Sequence, residues 1–370
     1  MICSADVVVV GGGFAGAASA YQLARRGVGK VLLLEQEDLP GRHASGRNAA
    51  VARRLVAKPE HLPLAIEGVR FMEQPPDDFP AGRYFQPTGS LMLAGPEREP
   101  SLRASLEAGR AAGVKGEWLT AQEVERLVPA TQGGSFVGGA YGCEDGIADI
   151  AALLEAFLRA GRARGVEVLS GCRLTDIDTA GGAVAGVRTT DRSIATRVVV
   201  NAAGAWAGAI ARLAGASPVP LRSLKRHLMV SGAQHWIDRS WPSVWDLSHE
   251  VYFRPEPPGL LLSPCDQAES EPDRETTDAG ALELLAEKLT QWFPRLAELP
   301  IAKAFAGLRT FVPDGNFVLG ADPRVRGFFW CAGLGGNGMT LSAALGRIVA
   351  ESVLGEAPPA AHAVERYAAH

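Results

Sequence analysis

Residues 6–37, DVVVVGGGFAGAASAYQLARRGVGKVLLLEQE, read as a strand, a glycine-rich turn, a helix and a second strand that ends in an acid. Each glycine of the G-x-G-x-x-G pattern has its own task. Gly11 permits the tight turn after Val7 to Val10, Gly13 lets the backbone approach a pyrophosphate, and Gly16 lets the helix lie close to the sheet. Phosphates then meet unpaired N–H groups at the positive end of a helix. Glu35 closes the strand Val31 to Leu34, nineteen residues after Gly16, where a carboxylate can accept both hydroxyls of an adenosine ribose. A carboxylate there disfavours a 2′-phosphate, so NADP is not expected. The stretch predicts a Rossmann-like dinucleotide site in an α/β chain and leaves FAD and NAD open.

The remaining composition bounds the reading without naming a reaction. A chain of 370 residues, 47% apolar and 21% charged, suits a globular protein of two domains or a little more. A net charge of −4 and a pI near 6.0 give no basic field, so nucleic acid is not an expected partner. Cys3, Cys143, Cys172, Cys265 and Cys331 are scattered, with no C-x-x-C pair, which points to a reducing compartment and to no metal site. No basic n-region precedes Asp6 and no run approaches a membrane span, so neither a signal peptide nor a transmembrane segment is expected. A cytoplasmic location follows, with peripheral membrane contact left open.

Beyond the opening unit, GRHASGRNAA at 41–50 is too long and polar for a simple connection and predicts a bound group. Helical spacing covers His61 to Met72, Leu102 to Ala112, Ala121 to Leu127, Asp149 to Arg164 (with Asp149 as N-cap) and Ala279 to Trp292. Strands are expected at Tyr84 to Phe85, Ser90 to Ala94, Val166 to Leu169, Cys172 to Thr179, Val184 to Thr189 and Ser193 to Val200, the last running into NAAGAWAG, where Gly204 permits a close backbone approach. Further strands fall at Arg226 to Val230, His249 to Arg254, Leu260 to Ser263, Phe317 to Gly320 and Phe328 to Cys331. The acidic stretch Asp266 to Asp278 reads as a solvated loop. The chain closes with GLGGNGMTLSAALGRIVAESVLG, a glycine turn feeding a long helix. The organisation predicted is a discontinuous dinucleotide-binding domain, the FAD-binding domain of the reading below, of residues 1–55, 140–215 and 305–370. Interleaved with it is an α+β substrate domain of residues 56–139 and 216–304, built on an antiparallel sheet.

Glycine-rich contacts recur near residues 11, 41, 204 and 335, a spread that suits a long, extended FAD better than an NAD held in one contiguous half. The ordered set DVVVVGGGFAG with Glu35, SGRNAA, NAAGAW, AGLRTFVPDG and GGNGMTLSAALG resembles the D-amino-acid oxidase-like flavoprotein superfamily across essentially the whole chain. Within it, Gly307-Leu308-Arg309, Phe311 to Gly315, Gly327 to Trp330 and Gly335 to Gly338 look most like the bacterial D-arginine dehydrogenase type. Carried over by motif, the resemblance implies that Ala15, Glu35 and Gln36 meet the AMP half and the Leu174 backbone the adenine. Ala44, Ser45, Gly46, Arg47, Asn48, Ala49, Ala50 and Val51 follow the pyrophosphate and flavin. Gly335, Gly336, Asn337, Gly338, Met339 and Thr340 meet the pyrimidine end, where a helix N-terminus favours the negative charge of a reduced ring. His43 lies outside the tryptophan-histidine attachment pattern and no cysteine occupies the other known attachment loop, so the FAD is expected to be noncovalent.

The same resemblance puts a substrate carboxylate on Arg226, Tyr252 and Arg309, residue types that offer paired donors and a hydroxyl. Gly336 and Met339 face the substrate, the Gly336 carbonyl accepting a proton from its amine. Ser90 stands where the arginine-type enzymes have a glutamate, and Val51 and Val56 replace polar residues. A cationic side chain therefore loses its buried partner and makes a poor substrate. An apolar or small D-amino acid remains, or an acid drawn by Arg53 and Arg54, unless those two face solvent. The reaction implied is FAD-dependent oxidative deamination by hydride transfer from Cα to flavin N5. His227 is a weak candidate base, and Lys225 or Lys303 could assist oxygen if either sits over the ring. The electron acceptor, oxygen or a quinone, is left open. So are two alternatives, a 2-hydroxy-acid dehydrogenase and an FAD-binding subunit that oxidises nothing itself.

Overall fold

The computed structural model describes residues 2–56, 58–273 and 276–367. The opening unit folds as strand Val7–Val10, helix Phe14–Arg25 and strand Val31–Leu34, with the two strands parallel and fully buried. Apolar runs without alternation are what a sheet covered on both faces requires. Val7, Val9, Val31 and Leu33 join the core on one face, and Val8, Val10, Leu32 and Leu34 that on the other. The sheet has six strands in the order Glu167–Leu169, Val31–Leu34, Val7–Val10, Val199–Asn201, Phe328–Ala332 and Val318–Ala321, parallel except for the last. Helices Phe14–Arg25, Ile150–Arg162 and Ser342–Val353 cover the first face. A four-stranded sheet and helix Ala207–Ala214 cover the second.

Two glycines permit close approaches here, Gly16 of the first helix to the turn before it and Gly346 of the last helix to the first. A methyl added at Gly16 would lie 1.8 Å from the Gly11 carbonyl oxygen, and one at Gly346 would lie 2.6 Å from the Ala18 backbone. Asp149 caps its helix as read, accepting the Ala152 N–H at 2.9 Å.

The second large sheet runs Ile301–Phe311, Arg222–Ser231, Gly259–Ser263, Val251–Glu256, Ser243–Asp246, Ser90–Ala94, Gly138–Gly142 and Glu117–Thr120. It is mixed rather than antiparallel throughout, because Ser243–Asp246 runs parallel to Ser90–Ala94. These strands come from distant segments, and no hairpin dictates their direction. A small sheet of Val51–Ala52, Gly146–Ala148 and Phe85–Gln86 ties the polar loop to its neighbours.

Two other readings are corrected and one gains detail. The strand expected at Ser193 to Val200 splits into Ser193–Ala195 and Val199–Asn201, in different sheets. Between them the Thr196 hydroxyl accepts the Val198 N–H at 3.3 Å and turns the chain. The acidic stretch is the exposed loop expected, anchored at its start by the Lys225 N–H on the Ala268 carbonyl at 2.8 Å and by Asp266 held against His227; residues 274 and 275 lie outside the described residues. The last helix begins only at Ser342, so Gly335 to Thr340 form turns ahead of it. No described helix is long and apolar enough to cross a membrane, and the described residues contain no cluster able to hold a metal ion.

Gly16→Ala should cost about 2 kcal/mol or more, because the new methyl meets backbone that cannot move aside. Gly280→Ala, in a helix with open space around it, should be neutral or slightly stabilising. Thermal unfolding of the two variants checks both; equal midpoints would contradict the packing described.

Candidate functional site

One continuous cavity of about 630 Å³ lies between the carboxyl ends of the parallel strands and one face of the eight-stranded sheet. Ligands of open α/β sheets bind at this end. At one extreme, buried Glu35 accepts the Gly12 N–H at 2.8 Å and the Glu37 N–H at 2.9 Å, one on each oxygen. Each oxygen keeps acceptor capacity for a sugar hydroxyl. Helix Phe14–Arg25 points its N-terminus here with no side-chain cap from Gly13 and no acid in its first turn. Ser45 Oγ accepts the Phe14 N–H at 3.0 Å, and a methyl on Gly13 would lie 2.7 Å from that oxygen. Ala15, Gln36 and Leu174 line the same end. Gly204 lines it too, its φ of 54° the left-handed conformation that glycine permits. Gly16 does not reach the cavity; it serves packing alone.

The polar loop forms the middle of the wall. Asn48 Nδ2 donates to the Ser45 carbonyl at 2.6 Å, and Asn48 Oδ1 accepts the Ala50 N–H at 2.7 Å, which holds Ala50 at a φ of 60°. Arg47 donates to the Ala306 carbonyl at 3.1 Å, Arg254 to the Ala49 carbonyl at 2.6 Å, and Thr340 to that of Val51 at 3.4 Å. Ala44 faces the cavity, whereas Gly46 is folded under the loop, where a methyl would lie 2.5 Å from the Gly41 carbonyl oxygen. The tight loop, not a ligand, requires that glycine. His43 is engaged by Glu37 at 3.0 Å.

At the far end Arg226, Tyr252 and Arg309 do converge. Leu224 and Arg226 sit opposite Arg309 and Gly307 in the antiparallel pair, so both arginines leave the same face of the sheet. Arg226 Nε donates to the Asp266 carbonyl at 3.0 Å, while its Nη1 and the Tyr252 hydroxyl are buried without a hydrogen-bond partner. Arg309 makes no hydrogen bond or ion pair with any described residue; burial and the neighbouring Arg226 charge pull its pKa down. Burial pushes the Tyr252 hydroxyl up. Gly336, at a φ of 89°, lies so close that a methyl on it would meet Arg309 Nε at 3.0 Å. Gly335, Asn337, Gly338 and Thr340 complete this wall, and Met339 both lines the cavity and packs in the core. Buried donors left unpaired are costly. This end is built for an anion.

Several candidates fall elsewhere. His227 points away from Arg226, as successive strand residues must. Its Nδ1 meets Asp266 at 2.7 Å and its Nε2 accepts the Asp278 N–H at 3.0 Å, so it cannot act as a base in the cavity. Lys225 pairs with Asp278 at 3.0 Å and Lys303 lies over Phe305; neither lines the cavity. Arg54 is buried and held by Glu73 and the Glu144 carbonyl, whereas Arg53 lines the cavity, so neither is simply solvent-facing. Ser90 lines the cavity and donates to buried Asp145 at 2.6 Å, a carboxylate that the sequence reading passed over. Trp206, Trp245 and His61 were also passed over; each lines the cavity and carries a buried ring nitrogen without a partner. Only their three-dimensional placement distinguishes them from ordinary core aromatics.

The family model described as "FAD dependent oxidoreductase" (DAO) matches residues 6–352. Human mitochondrial sarcosine dehydrogenase is 29% identical over 370 residues, covering 95% of this chain and 40% of that protein. The chain thus spans about two fifths of the length of that relative. Among solved structures, L-proline dehydrogenase from P. horikoshii superposes with a TM-score of 0.87 at 23% identity, covering 99% of this chain and 97% of that one. Glycine oxidase from Geobacillus kaustophilus superposes with a TM-score of 0.80 at 24% identity, covering 94% of each. At these identities the two structures speak to the fold. The cavity fits the group that the family is named for: a helix N-terminus with no acid in its first turn for phosphates, a bonded carboxylate for a ribose, and lining that continues to the arginines.

Glu35→Gln should weaken FAD retention roughly tenfold, because an amide cannot accept on both of its heavy atoms; equilibrium dialysis followed by flavin fluorescence measures it. Burial holds His61 at about 4 and lowers His362, which packs with it around Phe317. Their neutral forms contribute stability that is complete above the unfolded value of 6.5 and is lost as the pH falls toward 4. The thermal midpoint should drop across that window, and more gently in His61→Phe; parallel profiles would contradict the assignment.

Proposed function

Because the chain belongs to the DAO family of FAD-dependent oxidoreductases, we propose that it oxidises the Cα–N bond of an amino acid whose side chain is not cationic. When bound, FAD supplies the acceptor for the substrate's two electrons. Gly11 to Ala15, Glu35, Gln36 and Leu174 would hold its adenosine and phosphates, the Ala44 to Val51 loop its middle, and Gly335 to Thr340 its far end.

The observation that carries the reading is the set of unspent donors at the arginine end: Arg226 Nη1, the Tyr252 hydroxyl and the Arg309 guanidinium. A carboxylate satisfies all of them at once, and paired N–H donors fix its orientation as well as its position. Relatives and structural neighbours named for sarcosine, proline and glycine support an amine on the carbon beside that carboxylate. The Gly336 carbonyl accepts no hydrogen bond from a described residue and stands beside Arg309, where it can hold an N–H of the substrate amine. The amine gives up its extra proton to water before oxidation, so no histidine base is required. The imine product then hydrolyses in solution to an oxo compound and an amine. Ser90 offers only a hydroxyl already donated to Asp145, so a cationic side chain finds three guanidiniums and no available carboxylate. A D-configured substrate is the finer form of this reading and rests on the D-arginine dehydrogenase likeness alone.

Anaerobic mixing of the FAD-loaded protein with D-amino acids, L-amino acids, N-methyl amino acids and 2-hydroxy acids tests it, with loss of the oxidised flavin absorbance as the signal. Bleaching by amino acids is expected; bleaching by hydroxy acids alone would sink the reading. Arg309→Ala should lower kcat/KM about a hundredfold or more while FAD stays bound. Loss of FAD from that variant would show that Arg309 belongs to the cofactor site.

A further inference from the structure

We propose that the cavity contains a second anion subsite, made by the Arg53 guanidinium and the Trp245 indole N–H, and that the substrate is an amine bearing two carboxylates. The inference rests on the amino-acid reading above and narrows it to a substrate class. Arg53 leaves the short strand Val51–Ala52 and lines the cavity, its guanidinium 4.5 Å from the centroid of the Trp245 ring. It makes no hydrogen bond or ion pair with any described residue, although it is partly buried and carries five donors. The next residue, Arg54, shows the ordinary alternative: Glu73 and the Glu144 carbonyl take its donors. The Trp245 Nε1 is buried and has no partner either.

Trp245 pairs directly with Tyr252 across adjacent antiparallel strands, so the two side chains stand on the same face about 5 Å apart at Cβ. Arg53 is therefore next to the α-carboxylate grip without belonging to it. Arg226 and Arg309 already suffice for one carboxylate. The nearby carboxylate is Asp145, but it accepts the Ser90 hydroxyl at 2.6 Å and the Arg54 N–H at 2.7 Å and does not line the cavity. Burial and the Arg309 charge lower the Arg53 pKa, Asp145 offsets part of that, and at about 10 the group is still charged at neutral pH. An anion seated at the shared edge of Arg53 and Trp245 would use both sets of idle donors and relieve the repulsion among the guanidiniums. The side-by-side placement of Trp245 and Tyr252 suits two carboxylates separated by one to three atoms. The second can sit on the side chain, as in aspartate or glutamate, or on the nitrogen, as in iminodiacetate.

Binding to the FAD-loaded protein is measured first, by titrating acetate, malonate and succinate against the flavin spectrum. Dicarboxylates should bind roughly tenfold tighter or more than acetate. That ratio should collapse to about twofold in Arg53→Met and fall partway in Trp245→Phe, which keeps the ring and removes the N–H. Equal binding of acetate and succinate to the unaltered protein, or an undiminished ratio in both variants, overturns the subsite. Turnover then separates the two sources: a lower KM for aspartate or glutamate than for alanine places the second carboxylate on the side chain, and one for iminodiacetate over sarcosine places it on nitrogen. A dicarboxylate preference in binding with no amino acid oxidised would uphold the subsite and overturn the amino-acid reading instead.

Discussion

The loop from Gly41 to Ala52 holds the cavity together, because it bonds to several different walls while His43, Ser45 and Asn48 tie it to itself. Ser45 takes an N–H from the first helix; the carbonyls of Ala49, Ala50 and Val51 accept from Arg254, Ala148 and Thr340. Arg47 reaches across to the Ala306 carbonyl. A buried backbone must find such partners or pay the desolvation of each group. The loop can therefore take this path only when both large sheets and the glycine turn near 335 are in place. Gly307 completes the constraint: a side chain there would lie 2.8 Å from the Arg47 carbonyl oxygen and hold the sheet away from the loop.

With that seam closed, the two ends of the cavity differ in polarity. The Glu35 end combines an acceptor with a helix N-terminus, whereas the Arg309 end is nearly all donors. Burying three guanidiniums in one space is unfavourable unless negative charge stands near. Asp145 and Asp266 supply it from behind the wall. Each is engaged on both oxygens, Asp145 by Ser90 and the Arg54 backbone N–H and Asp266 by His227. They moderate the charge without occupying the donors that face the cavity. His227 thus acts through Asp266, which explains a buried histidine beside Arg226 that touches no ligand space.

The sequence was most legible where the chemistry is local. The βαβ unit, the Asp149 cap and the helix Ala279–Trp292 follow from periodicity and end signals within a dozen residues. Less could be read where neighbours in sequence part company in space. Arg53 and Arg54 look alike in the chain, yet one reaches the cavity and the other a glutamate nineteen residues away. Arg226 and His227 divide the same way across a strand. The split of Ser193 to Val200 between two sheets was hidden because Ile194, Thr196 and Val198 to Val200 favour strands on both sides of it; only the Thr196 turn shows where one ends. Trp245 gave no local signal, since its meaning depends on pairing with Tyr252 and on the arginine stacked over it.

These contacts also determine how selective the donor-rich end can be. Arg226 is tethered at Nε by the Asp266 carbonyl, Arg309 is confined against the Gly336 backbone, and Arg53 is stacked on an indole. None has to be ordered by the ligand, so little conformational entropy is lost when an anion arrives. A rigid set of donors also discriminates by what it leaves unpaired. A ligand lacking an acceptor at any of the three positions leaves a buried guanidinium without water or partner, a heavier penalty than an imperfect apolar fit. Shape alone would separate small amino acids weakly. The fixed positions of charge do the separating.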